Sequence, residues 1–388
     1  MHALITGSRI PIALEMIRKL GRSGHMVAAS DSARTAPGNH SRYVQTSFVT
    51  SSPRYETHRY IGQIERRLKT HPVDILIPTF EEVFYLSRHR ARLSPLAELF
   101  FPGFDLLRQL HDKVAFLDLA RELKIPTHPS VTATSREELA EATQEFEHFI
   151  ARAAYSRGGA RLFTNAGPLA GRTTLGACAP TPTNPFLVQP FVPGRDICSH
   201  SIVHHGTVVA HACYVHPVML SHSTGLAFES VNDPETLEIA QRLCEATGYH
   251  GQISIDFMRT NARLVAIECN PRPSFGLSMM PDEMFVEALQ SRVPPRPRVA
   301  PAGVRRKMAF AVLHNVVTAP LTARKEVDAL LHGGRDIFID RHDLRPVLYQ
   351  LAGFALMIRD WIARRHTAQS SFGDAFTHDT VWDGDKIN

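Results

Sequence analysis

Two short segments near residue 260 constrain this chain more than any others. Gln252-Ile253-Ser254-Ile255-Asp256-Phe257 and Arg263-Leu264-Val265-Ala266-Ile267-Glu268-Cys269-Asn270 both alternate apolar and polar residues and are rich in Ile and Val. Each therefore predicts a strand with one buried face. Thr260-Asn261-Ala262 between them has turn chemistry, so the pair predicts a β-hairpin. With a three-residue loop over 261–263, Asp256 lies opposite Glu268, and Asn270 shares their face. Facing carboxylates repel unless something lies between them. A divalent cation removes the conflict, and two carboxylates with an amide oxygen form a hard-oxygen set suited to Mg²⁺. Arg272 follows, placed for a phosphate oxygen. A two-residue loop would turn one arm over and break the argument. The competing reading is a hairpin whose charged residues simply face water, and alternation alone does not separate the two.

The string Glu268-Cys269-Asn270-Pro271-Arg272 resembles the Glu-x-Asn-Pro-Arg signature of the ATP-grasp superfamily, with Asp256 as the acidic strand residue that precedes it. The resemblance implies that Asp256 and Glu268 bind Mg²⁺, that Glu268 bridges two ions, and that Asn270 holds the second. It implies that Arg272 steadies a phosphoryl group in transfer.

The chain has 388 residues, enough for two or three domains with substantial cores. Its net charge of +5 is mild, and Lys and Arg are scattered. That disfavours nucleic-acid binding. Five cysteines form no CxxC pair, which argues against a disulfide framework or a zinc ribbon and for a reducing cytoplasm. The N-terminus has no charged segment followed by a long apolar one. The apolar run 351–358 is too short to span a bilayer, so no membrane partner is expected.

The N-terminal hundred residues read as an open α/β domain. A strand at His2–Thr6 leads through Gly7-Ser8-Arg9-Ile10-Pro11 to a helix, then to a strand at His25–Ala29 with Asp31 beyond it. The glycine turn is not G-x-G-x-x-G, so nicotinamide binding is disfavoured. A helix is expected over 56–68, a central parallel strand at 73–78 and a fourth strand at 99–102. Glu81 and Glu82 stand at the carboxyl end of the central strand, where open sheets place ligands. Glu81 is therefore a substrate-side candidate, although acids in a first helical turn also favour the helix dipole.

From Phe104 the pattern is helical, and a capping box at 134–138 opens a further helix. A strand at 148–154 runs into Tyr155-Ser156-Arg157-Gly158-Gly159, where glycine lets backbone N–H groups approach a phosphate. Residues 197–215 read as a hairpin around Gly206. Its histidines His200, His204 and His211, with His205, fall on alternation that predicts exposed strand positions, not metal ligands. Asp233-Pro234 is an N-cap and N1 pair, and Gly248 ends that helix. Past the Pro-rich segment 294–298, a strand is expected at 307–313, helices at 322–331 and 344–364, and a loosely held tail.

The resemblance to ATP-grasp proteins spans roughly residues 1 to 290 and is nearest the branch containing carbamoyl-phosphate synthase large chains and amino-acid ligases. It implies four parts: an N-terminal α/β domain (1–105), a lid lobe (106–185), a catalytic lobe (186–293) and a C-terminal extension (294–388). The implied fold class is open α/β followed by a two-lobed α+β core. It assigns ATP contacts to Lys113, Arg152, Ser156, Gly158 and Gly159. The hinge Gln189, Phe191, Val192 and Asp196 would serve adenine and ribose, with Gln189 and Asp196 departing from the more usual Glu. His222, Thr224 and Ser274 are acceptor-side candidates. The implied activity is an ATP-dependent carboxylate–amine ligase acting through an acyl phosphate, with two Mg²⁺ (or Mn²⁺ in their place), small-molecule substrates and a homodimer as a compatible assembly. A bicarbonate-phosphorylating enzyme of the biotin-carboxylase type and a non-catalytic nucleotide sensor are the alternatives.

Overall fold

A computed structural model describes residues 1–157, 161–220, 224–290, 294, 296–318, 323–364 and 377–387, with backbone alone for 356–364. The chain opens with β1 (His2–Thr6), α1 (Pro11–Arg22), β2 (Met26–Asp31), β3 (Thr46–Val49), α2 (Thr57–Thr70), β4 (Ile75–Ile77), α3 (Glu82–Arg88), α4 (Arg90–Leu93) and β5 (Glu98–Leu99). These strands form one parallel sheet in the order β3-β2-β1-β4-β5. Its central strands are apolar on both faces because helices cover both, and Ala3, Leu4, Ile5 and Ile75–Ile77 are all buried.

Two helices follow, α5 (Phe104–His111) and α6 (Lys113–Glu122). Asp112 breaks what reads as one helical pattern. Its carboxylate accepts from the N–H groups of Val114 (2.9 Å) and Ala115 (3.2 Å), capping α6. The lid is a second sheet made of β6 (Val131–Ala133), β7 (Phe149–Ala153), β8 (Leu162–Thr164) and β9 (Phe186–Pro190), with α7 (Arg136–Ala142) packed on it. Its order is β6-β9-β7-β8, antiparallel throughout. The expected capping box holds: Ser135 accepts from Glu138 N–H (3.1 Å), while Glu138 accepts from Thr134 N–H (2.7 Å).

The largest sheet contains β10 (Arg195–His204), β11 (Thr207–Leu220), β12 (Thr224–Val231), β13 (Gly251–Arg259) and β14 (Leu264–Asn270), with α8 (Pro234–Thr247) against it. Helix α9 (Asp282–Leu289) joins it to short strands β15 (Arg298–Val299) and β16 (Arg305–Lys307). Then come α10 (Ala309–Thr318), α11 (Arg324–His332), β17 (Arg335–Asp336) and α12 (Arg345–Arg364). The order is β14-β13-β10-β11-β12-β16-β17, with β15 on β11. Residues of α1 and β1 share one apolar core with Ile202, Phe228, Met279 and Phe285 of this region, so the N-terminal sheet is packed directly onto it.

Several sequence expectations differ from the structure. Residues 307–313 were expected as a strand, yet only Arg305–Lys307 is one, and the apolar run that follows is α10. A short apolar run carries no period that separates a buried helix from a strand. Asp233 occupies the N-cap of α8 without a side-chain capping bond; its carboxylate instead accepts from Arg259 Nη2 at 2.7 Å, at the end of β13. His200, His204 and His211 are buried, not exposed. A strand in the middle of a sheet covered on both sides has no solvent face, so alternation misleads there.

The tail also departs from the loose end expected. Residues 377–387 return to the N-terminal sheet, and Trp382 is only 3% exposed. Its ring lies 4.6 Å from Phe84, 5.2 Å from Tyr155 and 5.4 Å from Phe104. Trp382→Ala should therefore lower the unfolding free energy by about 3–5 kcal/mol in denaturant titration, as for other fully buried aromatics. A loss below about 1 kcal/mol would mean that the tail does not pack.

Candidate active site

The hairpin pairs Asp256 with Glu268, Ile255 with Cys269 and Ser254 with Asn270. The expected pairing is present, but a different device produces it. Beyond Asp256 the register changes, with Phe257 opposite Ala266 and Arg259 opposite Leu264. The loop is thus four residues, 260–263, and Ile267 is the extra residue of a β-bulge. That bulge offsets the even loop and returns Glu268 to the face of Asp256.

On that face Asn270 bridges the two acids. Its Nδ2 donates to Asp256 Oδ2 (3.2 Å) and Glu268 Oε1 (3.5 Å), while its Oδ1 accepts from Arg272 Nη2 (3.0 Å). Two cations converge on Glu268 Oε2 from other parts of the chain: Lys113 Nζ and Arg152 Nη1, each at 3.4 Å. Lys113 is the first residue of α6 and is buried. A lysine there opposes the helix dipole, and its ammonium is held by the Ser156 carbonyl at 2.8 Å. Arg152 projects from β7, with its Nη2 on Gln189 Oε1 at 3.0 Å.

The electrostatics follow from this crowding. Burial, then Glu268, pushes the Asp256 carboxyl well above the usual aspartate range. Burial also acts on Glu268, but Lys113 and Arg152 outweigh it and hold that carboxyl below its ordinary value. Burial lowers both Lys113 and Arg152. Arg152 Nε, Arg272 Nε and Gln189 Nε2 are buried donors with no hydrogen-bond partner among the described residues. Unpartnered buried donors are costly, so this cluster is built for an acceptor-rich guest.

Of these groups, Lys113, Arg152, Asp256 and Glu268 line a cavity of about 290 Å³ between the lid and the large sheet. Ser156, Gln189, Phe191, Val192 and Asp196 line it as well, with apolar walls from Ile150, Leu162, Leu169 and Met219. The Phe191 N–H already donates to the His148 carbonyl (2.8 Å) and is not open to a guest. Burial raises the Asp196 carboxyl above its usual value. Gly158, Gly159 and His222 lie outside the described residues. Thr224 is exposed at the start of β12, and Ser274 donates its N–H to His200 Nδ1 (3.4 Å). Neither lines the cavity.

Glu81 and Glu82 part company. Glu82 accepts from Thr6 Oγ1 (2.8 Å), Thr79 N–H (2.9 Å) and Phe80 N–H (3.1 Å), tying the turn after β4. Glu81 is buried and reaches the site. Its carboxylate takes Arg157 Nε and Nη2 (both 2.9 Å) and the Trp382 N–H (2.9 Å), with Arg272 Nη2 at 3.7 Å. Arg157 also pairs with Asp383 at 3.1 Å, and Arg272 stacks 4.6 Å from the Phe80 ring centroid. Burial raises Glu81, but Arg157, His111 and Arg272 together bring it to about 2. Burial lowers His111 to about 3, against the pull of Glu81. Arg157, His111, Trp382 and Asp383 escape sequence reasoning because nothing local marks them; the acid at 81 is the one signal that leads to them.

Residues 110–275 match the family model of the ATP-grasp domain. The chain thus carries an ATP-grasp domain, and 44% of it is homologous to carbamoyl-phosphate synthase large chains. One is the arginine-specific large chain of Geobacillus stearothermophilus, 26% identical over 188 residues, 44% of this chain and 17% of that protein. The chain therefore corresponds to about a sixth of that relative's length. Among solved structures, an N5-carboxyaminoimidazole ribonucleotide synthetase in complex with ADP is similar in fold, with TM-score 0.60 and 13% identity over 82% of this chain and 84% of that one. Biotin carboxylase from Campylobacter jejuni gives TM-score 0.57 and 16% identity over 75% and 72%.

A cation held at Asp256 would take the ionised carboxylate, so its affinity would be full above the elevated Asp256 value and lost as pH falls through it. Calorimetric Mg²⁺ affinity in the presence of a nonhydrolysable ATP analogue should fall about tenfold per pH unit below that point. In Asp256→Asn the slope should vanish with most of the affinity; an unchanged slope would assign the titration elsewhere.

Proposed function

We propose that the chain is an ATP-dependent ligase that joins a small-molecule carboxylate to an amine through an acyl phosphate. The observation that carries this reading is the set of buried donors with no partner among the described residues, Arg152 Nε, Arg272 Nε and Gln189 Nε2, gathered around two facing acids. Donors of this kind suit phosphate oxygens and purine nitrogens, while the acids and the Asn270 amide suit hard cations.

Asp256, Glu268 and Asn270 are the residues that would hold Mg²⁺, two ions in this reading, which when bound would neutralise charge on the polyphosphate. Asn270 turns its nitrogen to the acids and its oxygen to Arg272. Turning the amide over would offer its oxygen as a ligand on the acids' side and would free Arg272 for a phosphoryl group, so the two would be linked. Lys113 and Arg152, freed from Glu268, orient phosphate oxygens. Phe191 and Val192 frame the adenine, and Asp196 takes ribose hydroxyls. The substrate carboxylate oxygen attacks the γ-phosphorus and the bond to ADP breaks. The amine nitrogen then attacks the acyl carbon, phosphate leaves with the former carboxylate oxygen and takes up the proton the nitrogen loses, and an amide remains. Positioning and charge neutralisation dominate such transfers. The fixed Glu81–Arg157–Arg272 group borders the acceptor side, and Ser274 with Thr224 stays outside the lined cavity. Five free thiols support a reducing, cytoplasmic setting.

A phosphate-release screen of carboxylate and amine pairs, with mass spectrometry of products, tests the reading. Release should require both partners and yield an amide. Glu268→Gln should lower the rate at least about hundredfold without lowering thermal stability. ADP formed with bicarbonate and no amine would favour the carboxylating alternative. Tight ATP binding with no turnover over a broad panel would favour a sensor.

A further inference from the structure

A second cluster of ligating side chains lies away from the cavity, where the N-terminal sheet meets the large one. Glu98 begins β5, His204 ends β10, and His250 immediately precedes β13. One ligating atom from each of the three falls within 4.8 Å of the others. None of the three lines the active-site cavity.

The backbone is shaped to close this corner. Gly251 adopts φ +129°, and a Cβ there would sit 2.8 Å from the Phe100 carbonyl oxygen. Glycine therefore allows the chain carrying His250 to approach the chain that carries Glu98. His205 and Gly206 take positive φ in the turn after His204, and Gly206 N–H donates to the Tyr249 carbonyl (2.7 Å). Phe100 lies beneath both imidazoles, with ring centroids 5.2 Å from His204 and 5.1 Å from His250. The exposed His205 stacks on His250 at 4.2 Å.

Two features match metal ligation more closely than a plain ion pair. His204 Nε2 lies 2.7 Å from the Ala288 carbonyl. Donation to that carbonyl fixes the ring's orientation, which is the usual support of a metal-bound imidazole. His250 is 7% exposed and its Nδ1 is buried without a hydrogen-bond partner among the described residues, while its Nε2 stands 3.6 Å from Glu98 Oε1. Tetrahedral N and O ligands at metal distances lie roughly 3.4 Å apart. The Glu98 side chain, 44% exposed, can swing to close the remaining gap.

We propose that Glu98, His204 and His250 bind one divalent first-row cation of the zinc class, with water as a fourth ligand. Two imidazoles and a carboxylate select such a cation over Mg²⁺, which prefers oxygen alone. The ion would tie the edge of the N-terminal sheet to the catalytic sheet. It is structural and independent of the acids at 256 and 268.

Titration of the chelator-treated full chain with Co²⁺, in excess Mg²⁺, tests this by visible absorption. One equivalent should give the intense bands of tetrahedral cobalt and raise the thermal midpoint. Glu98→Gln changes an exposed carboxylate and should keep the fold, checked by circular dichroism, yet weaken Co²⁺ binding at least tenfold. His250→Asn should do the same. Glu268→Gln should leave the bands intact, which separates this site from the proposed catalytic one. Absent bands, bands unchanged in Glu98→Gln, or bands lost in Glu268→Gln would each overturn the assignment.

Discussion

Two acids forced to face each other across a strand pair are the constraint from which the rest of this site follows. Asp256 and Glu268 occupy paired positions on β13 and β14, half-buried on the wall of the cavity. Left alone, such a pair is unfavourable. The fold answers with an amide between them and with Lys113 and Arg152 brought in from a helix start and a lid strand. The result is an uneven pair, one carboxyl pushed up and the other held down. Unevenness of this kind clusters at functional sites.

A second layer of charge supports the first. Glu81, at the end of the N-terminal sheet, gathers Arg157 from the lid loop, Arg272 from the hairpin and the Trp382 N–H from the tail. Four separate parts of the chain meet on one buried carboxylate. Each partner offsets part of the cost of burying it. Glu81 lies 3.7 Å from Arg272, which in turn contacts Asn270 beside the acid pair, so the N-terminal sheet and the tail support the site from behind.

Much of this was legible in one dimension. The hairpin, the acids, Asn270 and Arg272 are close in sequence, and their strands are legible there, although Asp256 and Glu268 share a face only with the bulge at Ile267. Lys113, Arg152, Gln189, Phe191 and Asp196 line the cavity because their order along the chain follows that of a known fold. What escaped was long in range or local to buried backbone. The bulge at Ile267 is invisible to a parity argument that assumes a regular ladder. The buried histidines of β10 and β11 alternate as exposed ones would. Helix α10 has the apolar run of a strand.

The residues of the sequence by themselves determined the chemistry available here: two acids, an amide and an arginine within seventeen positions, with basic residues spaced to join them. Side-chain alternation and turn composition are local properties, so they survive without the fold. The tertiary structure decided which cations reach Glu268, that Glu81 anchors the tail, and that Glu98 meets two histidines across a sheet boundary. Those choices depend on packing between segments more than a hundred residues apart, and no local pattern encodes that distance.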